Sequence, residues 1–150
     1  IAKSVVDDFY NIYNSKRKIQ IRLKSNGSED YFILGINNRI EQIIANLLEN
    51  SISFSDEYQE IIVEVSKDKQ GKPRLVVIDE GTGFDEKDTS KIFNRFYSNR
   101  PKNFGEHSGL GLNIVKNLVE LHNGQINAEN NKEKGAKVEI IFPATQWKVD

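Results

Sequence analysis

A chain of 150 residues, 37% hydrophobic and 29% charged, has the balance of one globular domain around one core. Its net charge of -1 supplies no global field to draw in nucleic acid or anionic lipid. With no cysteine there is no disulfide, thiolate nucleophile or zinc–thiolate site, and no apolar run approaches the roughly 20 residues that span a bilayer.

Residues Ala2 to Asn14 carry Val5, Val6, Phe9, Ile12 and Tyr13 at near-helical spacing. Lys18 to Lys24 alternates Ile19, Ile21 and Leu23 with polar residues, the pattern of a strand. Asn26-Gly27 predicts a turn, and Tyr31 to Leu34 a second short strand. Ile40, Ile43, Ile44, Leu47, Leu48 and Ile52 then fall on one stripe, the clearest helix of the chain. Glu60 to Ser66 alternates again, with Ile61, Val63 and Val65 on one face. Gly71-Lys72-Pro73 breaks the chain. Leu75 to Ile78 is continuously apolar, as in a strand covered on both faces or nearly so.

Glu86 to Phe93 predicts a short helix. Tyr97 to Ser108 is polar and aperiodic, with Pro101 and Gly105. Gly109 to His122 returns to helical spacing through Leu110, Ile114, Val115, Leu118 and Val119. Gln125 to Glu129 and Ala136 to Phe142 predict two closing strands, with Gly135 before the last. Strands in adjacent pairs between helices predict an α+β sandwich, a mixed and largely antiparallel sheet with helices on one face. No repeat or internal boundary divides the chain, so residues 1–150 read as one domain. The start at Ile1 and the lack of any methionine read as a piece of a longer polypeptide, and no signal peptide is visible.

Three segments carry chemistry. In the first, Asn46, Asn50 and Ser53 stand at i, i+4 and i+7, so they share one helix face. An amide oxygen is a hard ligand suited to Mg²⁺, which keeps several waters and takes few protein ligands. A solvated polar face accounts for the same three residues. In the second, Asp79 ends an apolar strand and is followed by Gly81 and Gly83. An ionised carboxylate only accepts, so it suits an exocyclic amine such as adenine N6, and the glycines let backbone approach a flat base. A strand-ending turn has the same composition. In the third, Gly109 and Gly111 open a helix after a long irregular stretch. Free N–H groups there attract phosphate, while an ordinary helix entry capped by Ser108 reads equally well. Tyr97 to Ser108 is a candidate lid.

Other nucleotide signatures are missing. No G-x-x-x-x-G-K-[ST] excludes a P-loop, and no G-x-G-x-x-G follows a strand into a helix. The two histidines, His107 and His122, are too few for a metal cluster. His122 reads as a helix-end residue, and His107, in the candidate lid, as a solvated loop residue or a contact to phosphate.

With a fourth, Phe93-Asn94-Arg95-Phe96, these segments together resemble the ATP-binding catalytic domain of sensor histidine kinases, in the superfamily of DNA gyrase B, the Hsp90 chaperones and MutL. Asn46-Leu47-Leu48-Glu49-Asn50 resembles the N box and Asp79-Glu80-Gly81-Thr82-Gly83 the G1 box. Phe93-Asn94-Arg95-Phe96 resembles the F box, Gly109-Leu110-Gly111-Leu112 the G2 box, and Gly135-Ala136 the glycine before the last strand. The resemblance covers nearly the whole chain and implies the Bergerat α/β sandwich.

It also implies roles. Asn50 would coordinate Mg²⁺ and Asn46 would bind near the phosphates of ATP. Asp79 would pair with adenine N6, Gly81 and Gly83 would shape the base pocket, and Phe54 would pack on adenine. Ser108, Gly109, Leu110, Gly111 and Leu112 would cradle phosphate. Phe96 and Tyr97 would contact the nucleotide, and Arg95 would neutralise charge on the transferring phosphoryl group. Hydrolysing members of the superfamily place a glutamate base where this chain has Asn46, and an amide cannot act as that base. The pattern therefore favours phosphoryl transfer to a protein group. Glu49 is the nearest acidic candidate for a helper role, although its helical phase differs from that of Asn50.

Three positions depart from the family. Ser53 stands where many members have lysine or arginine, Ser98 where a second arginine often follows the F box, and His107-Ser108 where glycine and a small residue are common. The combination of Ser51-Ile52-Ser53-Phe54, Phe96 to Pro101 and His107-Ser108 looks like alphaproteobacterial envelope-stress sensor kinases. Neither histidine sits in a phosphoacceptor box, since His107 precedes Ser-Gly and His122 precedes Asn-Gly. The resemblance implies an acceptor histidine on a dimerisation domain before Ile1, a cognate response regulator, and a cytoplasmic placement under an inner-membrane anchor. It implies no nucleic-acid partner and no direct membrane contact by this domain. A serine/threonine kinase of the same superfold and a degenerate nucleotide-binding module are the alternatives.

Overall fold

The computed structural model describes residues 1–17, 19–25, 35–84, 89–94, 111–132 and 134–144. The elements run α1 (Ala2–Arg17), β1 (Gln20–Ser25), α2 (Asn37–Phe54), β2 (Glu60–Lys67), β3 (Pro73–Asp79), a 3-10 helix (Thr89–Phe93), α3 (Gly111–Leu121), β4 (Gln125–Asn130) and β5 (Ala136–Ile141). One five-stranded sheet has the order β1-β2-β3-β5-β4. β1 and β2 pair in parallel, and the other three pairings are antiparallel. Parallel neighbours require a crossover, and α2 lies within it.

The sheet is amphipathic by alternation. Ile61, Val63, Leu75, Val77, Val138 and Ile140 point to one face and join the buried stripe of α2, Ile40, Ile43, Ile44, Leu47, Leu48 and Ile52, in a single core. Val115 and Val119 of α3 and Val5 and Val6 of α1 complete it. Helix α1 forms over Ala2–Arg17, as its spacing predicts. Ile12 is exposed, because the helix turns Phe9 and Tyr13 toward the core and Ile12 away from it. The predicted helix over Glu86 to Phe93 is, within the described residues, the 3-10 helix at Thr89–Phe93. The predicted strand over Tyr31 to Leu34 lies outside the described residues.

The outer face of β3 is covered without a helix. Val76 pairs with Glu64 on one side and Glu139 on the other. Arg74, two residues back on the same face, bridges both carboxylates. That bridge closes over Val76, which is buried. The continuous apolar run at Leu75 to Ile78 thus belongs to a central strand covered on both sides.

Helix α3 ends in a Schellman motif. Gly124 N–H donates to Val119 O at 2.9 Å and Asn123 N–H to Glu120 O at 3.0 Å, with Asn123 in the left-handed region at φ 58°. His122 occupies this helix end, as its sequence position predicts, and also reaches further. Its Nδ1 lies 2.7 Å from Leu118 O, and its Nε2 accepts the Ile36 N–H at 3.2 Å. A carbonyl oxygen only accepts, so Nδ1 carries the proton and Nε2 is bare. The imidazole therefore ties the end of α3 to the start of α2.

Candidate functional site

Helix α2 and strand β3 end side by side, and the candidate residues gather at this junction. On α2, Asn46 is half-buried, while Asn50 is only 4% exposed. Ser53 is buried as well, and its hydroxyl donates to Asn50 O at 2.6 Å. This corrects the solvated-face alternative for Asn50 and Ser53. Ser53 spends its hydroxyl on the helix backbone, at the position where many kinases of the resembling family carry a cation. Glu49 is exposed, one helical step away from Asn50.

Asp79 ends β3 with 2% exposure. Its Oδ1 accepts the N–H of Gly81 at 2.9 Å and that of Ala136 at 3.2 Å, and the Ser51 hydroxyl of α2 also bonds the carboxylate. Burial pushes the carboxyl above its ordinary value, and these three bonds pull it part of the way back. The carboxylate is thus held in place by the loop after β3, by strand β5 and by helix α2 at once.

The glycines are where backbones meet. A Cβ on Gly81 would lie 2.1 Å from Phe54 O, so only glycine lets the loop rest on the end of α2. Gly83 has φ +77°, and its Cβ would lie 2.7 Å from Asn130 Oδ1. Phe54 is buried yet stands outside the contiguous core. Its ring meets Phe84 edge-on, with centroids 6.1 Å apart and planes at 72°.

The structure therefore brings Gly81 against both Asp79 and Phe54, with Asn46 and Asn50 on the same helix as Phe54. Gly111 and Leu112 open α3, which packs against α2. The Asn113 amide donates to Phe93 O at 3.0 Å and fixes the start of α3 against the 3-10 helix. Arg95, Phe96, Tyr97, Ser108, Gly109 and Leu110 lie outside the described residues, as does the candidate lid. Among the described residues no cluster of three or more His, Asp or Glu could hold a metal. An asparagine amide beside phosphate oxygens and water fits the sparse protein coordination of Mg²⁺.

Sequence reading missed four participants: Ser51, Phe84, Asn113 and Asn130. Ser51 adjoins Asn50 and Phe84 follows Gly83, so both stood next to a marked residue. Asn130 had no local signal, because its partner is 46 residues away.

An α+β sandwich of this topology, with a polar junction between its central strand and its crossover helix, is of the Bergerat type. Residues 35–146 match the family described as Histidine kinase-, DNA gyrase B-, and HSP90-like ATPase, and the chain belongs to that family. It is 35% identical to the sensor protein ChvG of Agrobacterium fabrum over 97% of this chain and 26% of that protein. It is 37% identical to the sensor protein ChvG of Rhizobium meliloti over 81% of this chain and 22% of that one. The chain thus spans about a quarter of the length of these curated relatives. The catalytic domain of histidine kinase ThkA, in a nucleotide-free form, superposes with a TM-score of 0.76 at 26% identity, covering 94% of this chain and 91% of that one.

Proposed function

We propose that this domain binds Mg²⁺-ATP and transfers the γ-phosphoryl group to a histidine on a dimerisation domain of the same kinase, for relay to a response regulator. The observation that carries this reading is the buried Asp79 carboxylate, locked by Gly81, Ala136 and Ser51 beside Phe54. A fixed, buried acceptor at the end of the helix that carries Phe54 suits a flat base with an exocyclic amine. A base lacking that amine would leave the carboxylate's remaining acceptor position without a donor and be rejected.

Each residue has a part in that scheme. Asp79 accepts adenine N6–H, Gly81 and Gly83 admit the base, and Phe54 packs on it. Asn46 binds near the phosphates, and Asn50 contributes an amide oxygen to Mg²⁺. The metal, when bound, neutralises charge on the phosphate oxygens. Ser108, Gly109, Leu110, Gly111 and Leu112 cradle phosphate at the start of α3, with Phe96 and Tyr97 against the nucleotide. Arg95 offsets charge on the phosphoryl group in flight, and Glu49 is the nearest carboxylate for a helper role. In the transfer, the bond from γ-phosphorus to the β–γ bridging oxygen breaks and a bond to an imidazole nitrogen forms. ADP leaves with the electron pair. Positioning and charge neutralisation supply most of the catalysis.

The same reading assigns residues 1–150 to one catalytic domain and the phosphoacceptor histidine to another part of the polypeptide. It assigns the domain to the cytoplasm, beneath a membrane-anchored sensor. Among the described residues no helix is long and apolar enough to cross a membrane. One observation favours a weaker second reading, a degenerate nucleotide-binding module. Ser53 offers the phosphates no cation and bonds its own helix instead.

Calorimetric titration with ATP separates these readings. The wild type should bind in Mg²⁺, Asp79→Asn should fail to bind, and Asn50→Ala should lose its Mg²⁺ dependence. A histidine-bearing dimerisation domain supplied in trans should then be phosphorylated. Binding without transfer would support the degenerate module, and no binding of any adenine nucleotide would sink the proposal.

A further inference from the structure

The loop from Asp79 to Phe84 is held at both ends by one hairpin. Asn130 and Ala136 face each other across the β4–β5 ladder. The Ala136 N–H holds the Asp79 carboxylate. Asn130 holds the other end through its side-chain amide. Its Oδ1 accepts the Phe84 N–H at 2.7 Å, and its Nδ2 donates to Phe84 O at 2.9 Å. An amide side chain thereby satisfies both backbone groups of one residue, as a neighbouring strand would. The hairpin turn is closed by Asn131 N–H on Gly135 O at 2.9 Å, so the two holding points keep a fixed spacing.

We infer that Asn130 is a positioning residue of the nucleotide-base pocket: its amide fixes the Phe84 backbone so that the Phe84 ring backs Phe54, the wall proposed to receive adenine. Three independent contacts converge on this. Gly83 runs so close to Asn130 that a Cβ there would collide with its Oδ1. Phe84 is buried in the core, so its ring follows its backbone with little freedom. Phe54 meets that ring edge-on while Gly81 rests on the Phe54 carbonyl. Without the amide clasp, Phe84 has no described partner replacing both bonds, and the support behind Phe54 loosens while Asp79 stays held by Ala136.

This inference rests on the nucleotide reading above, and the test keeps the two apart. Affinities for ATP and GTP are measured for wild type, Asn130→Ala and Asn130→Asp, together with hydrogen exchange at the Phe84 amide. Asp keeps the acceptor for Phe84 N–H and replaces the donor to Phe84 O with a repelling oxygen. Asn130→Ala should weaken ATP about tenfold, roughly the loss of one net hydrogen bond, narrow the ATP-over-GTP preference, and speed exchange at Phe84. Asn130→Asp should fall between it and wild type in exchange and in preference. A residue that only stabilised the fold would lower the melting temperature of Asn130→Ala and leave the preference of its folded fraction unchanged. An unchanged preference, or unchanged Phe84 exchange, in Asn130→Ala overturns the inference. Failure of the wild type to bind either nucleotide overturns the nucleotide reading instead, and the inference with it.

Discussion

The Ala136 N–H donates to Asp79 Oδ1 at 3.2 Å, so the first residue of the last strand completes a carboxylate site that the central strand begins. The two residues are 57 positions apart. The site is therefore a product of sheet order, in which β3 and β5 are neighbours, rather than of any local motif.

Asp79 makes stability depend on pH in a specific direction. Burial raises its carboxyl above the ordinary 3.8. A raised folded-state value means that the folded protein holds the proton more tightly than the unfolded chain. The associated stability is fully present below 3.8 and is lost as pH climbs through the raised value. Asp79→Asn cannot ionise. Its stability relative to wild type should therefore improve between acid and neutral pH, as read by urea unfolding at a series of pH values. A difference that stays flat or shrinks over that range would contradict the assignment.

On the proposed function the same carboxylate links ATP binding to protons. An amine donor favours the ionised form, so binding should release protons near the raised value. Titrations in buffers of different ionisation enthalpy should then give different heats in the range above 3.8 where the raised carboxyl titrates, and equal heats well above that range. Equal heats throughout would remove Asp79 from the contact with the base.

Much of this architecture was legible in the sequence, and the misses have physical causes. The stripe from Ile40 to Ile52 is long and periodic, so tertiary packing had little to overrule, and all six residues are buried. Ile12 fits the period of α1 nearly as well as its neighbours do. Only the packing of α1 on the rest of the fold decides that Phe9 and Tyr13 turn inward. Asn50 and Ser53 left two readings open, because a polar helix face is solvated or buried according to what lies beside it, and β3 is 20 or more residues away. Asn130 was invisible for the same reason. Its two bonds exist only once the hairpin and the loop after Asp79 are side by side.

Gly135 is the tightest of the described glycines. It has φ +95°, and a Cβ there would lie 1.9 Å from Asp79 O and 2.9 Å from Glu80 Cα. Both obstacles are backbone, so neither can swing aside. Gly135→Ala should cost about 3 kcal/mol or more, from left-handed strain plus overpacking. Chemical denaturation measures this, and a loss below about 1 kcal/mol, the bottom of the overpacking range, would mean the hairpin can shift away from β3.

His122 joins two helices through one neutral ring. Removing it deletes the bond to Leu118 O and leaves the part-buried Ile36 N–H without this acceptor. His122→Ala should destabilise by about 1 kcal/mol, the low end of the range for a donor that loses its partner, because the Ile36 N–H is only part-buried. Amide exchange at Ile36 should accelerate beyond that at Ile40, whose N–H bonds Ile36 O in any case. Equal acceleration at both would point to general loosening instead of a lost latch.

Tyr58 holds the opposite kind of anomaly, a strained residue with little to gain. Its φ is 67°, and it is 77% exposed in the turn between α2 and β2. A left-handed conformation costs a non-glycine residue about 1–2 kcal/mol, and asparagine bears it more readily. So exposed a ring recovers little of that through packing. Tyr58→Asn should therefore raise stability by about 0.5–1 kcal/mol. Tyr58→Gly should gain less, because glycine relieves the strain but frees the unfolded chain. Thermal and urea unfolding of the two variants decide the matter. Should Tyr58→Asn prove less stable than wild type, the exposed ring must be contributing contacts that outweigh its backbone strain.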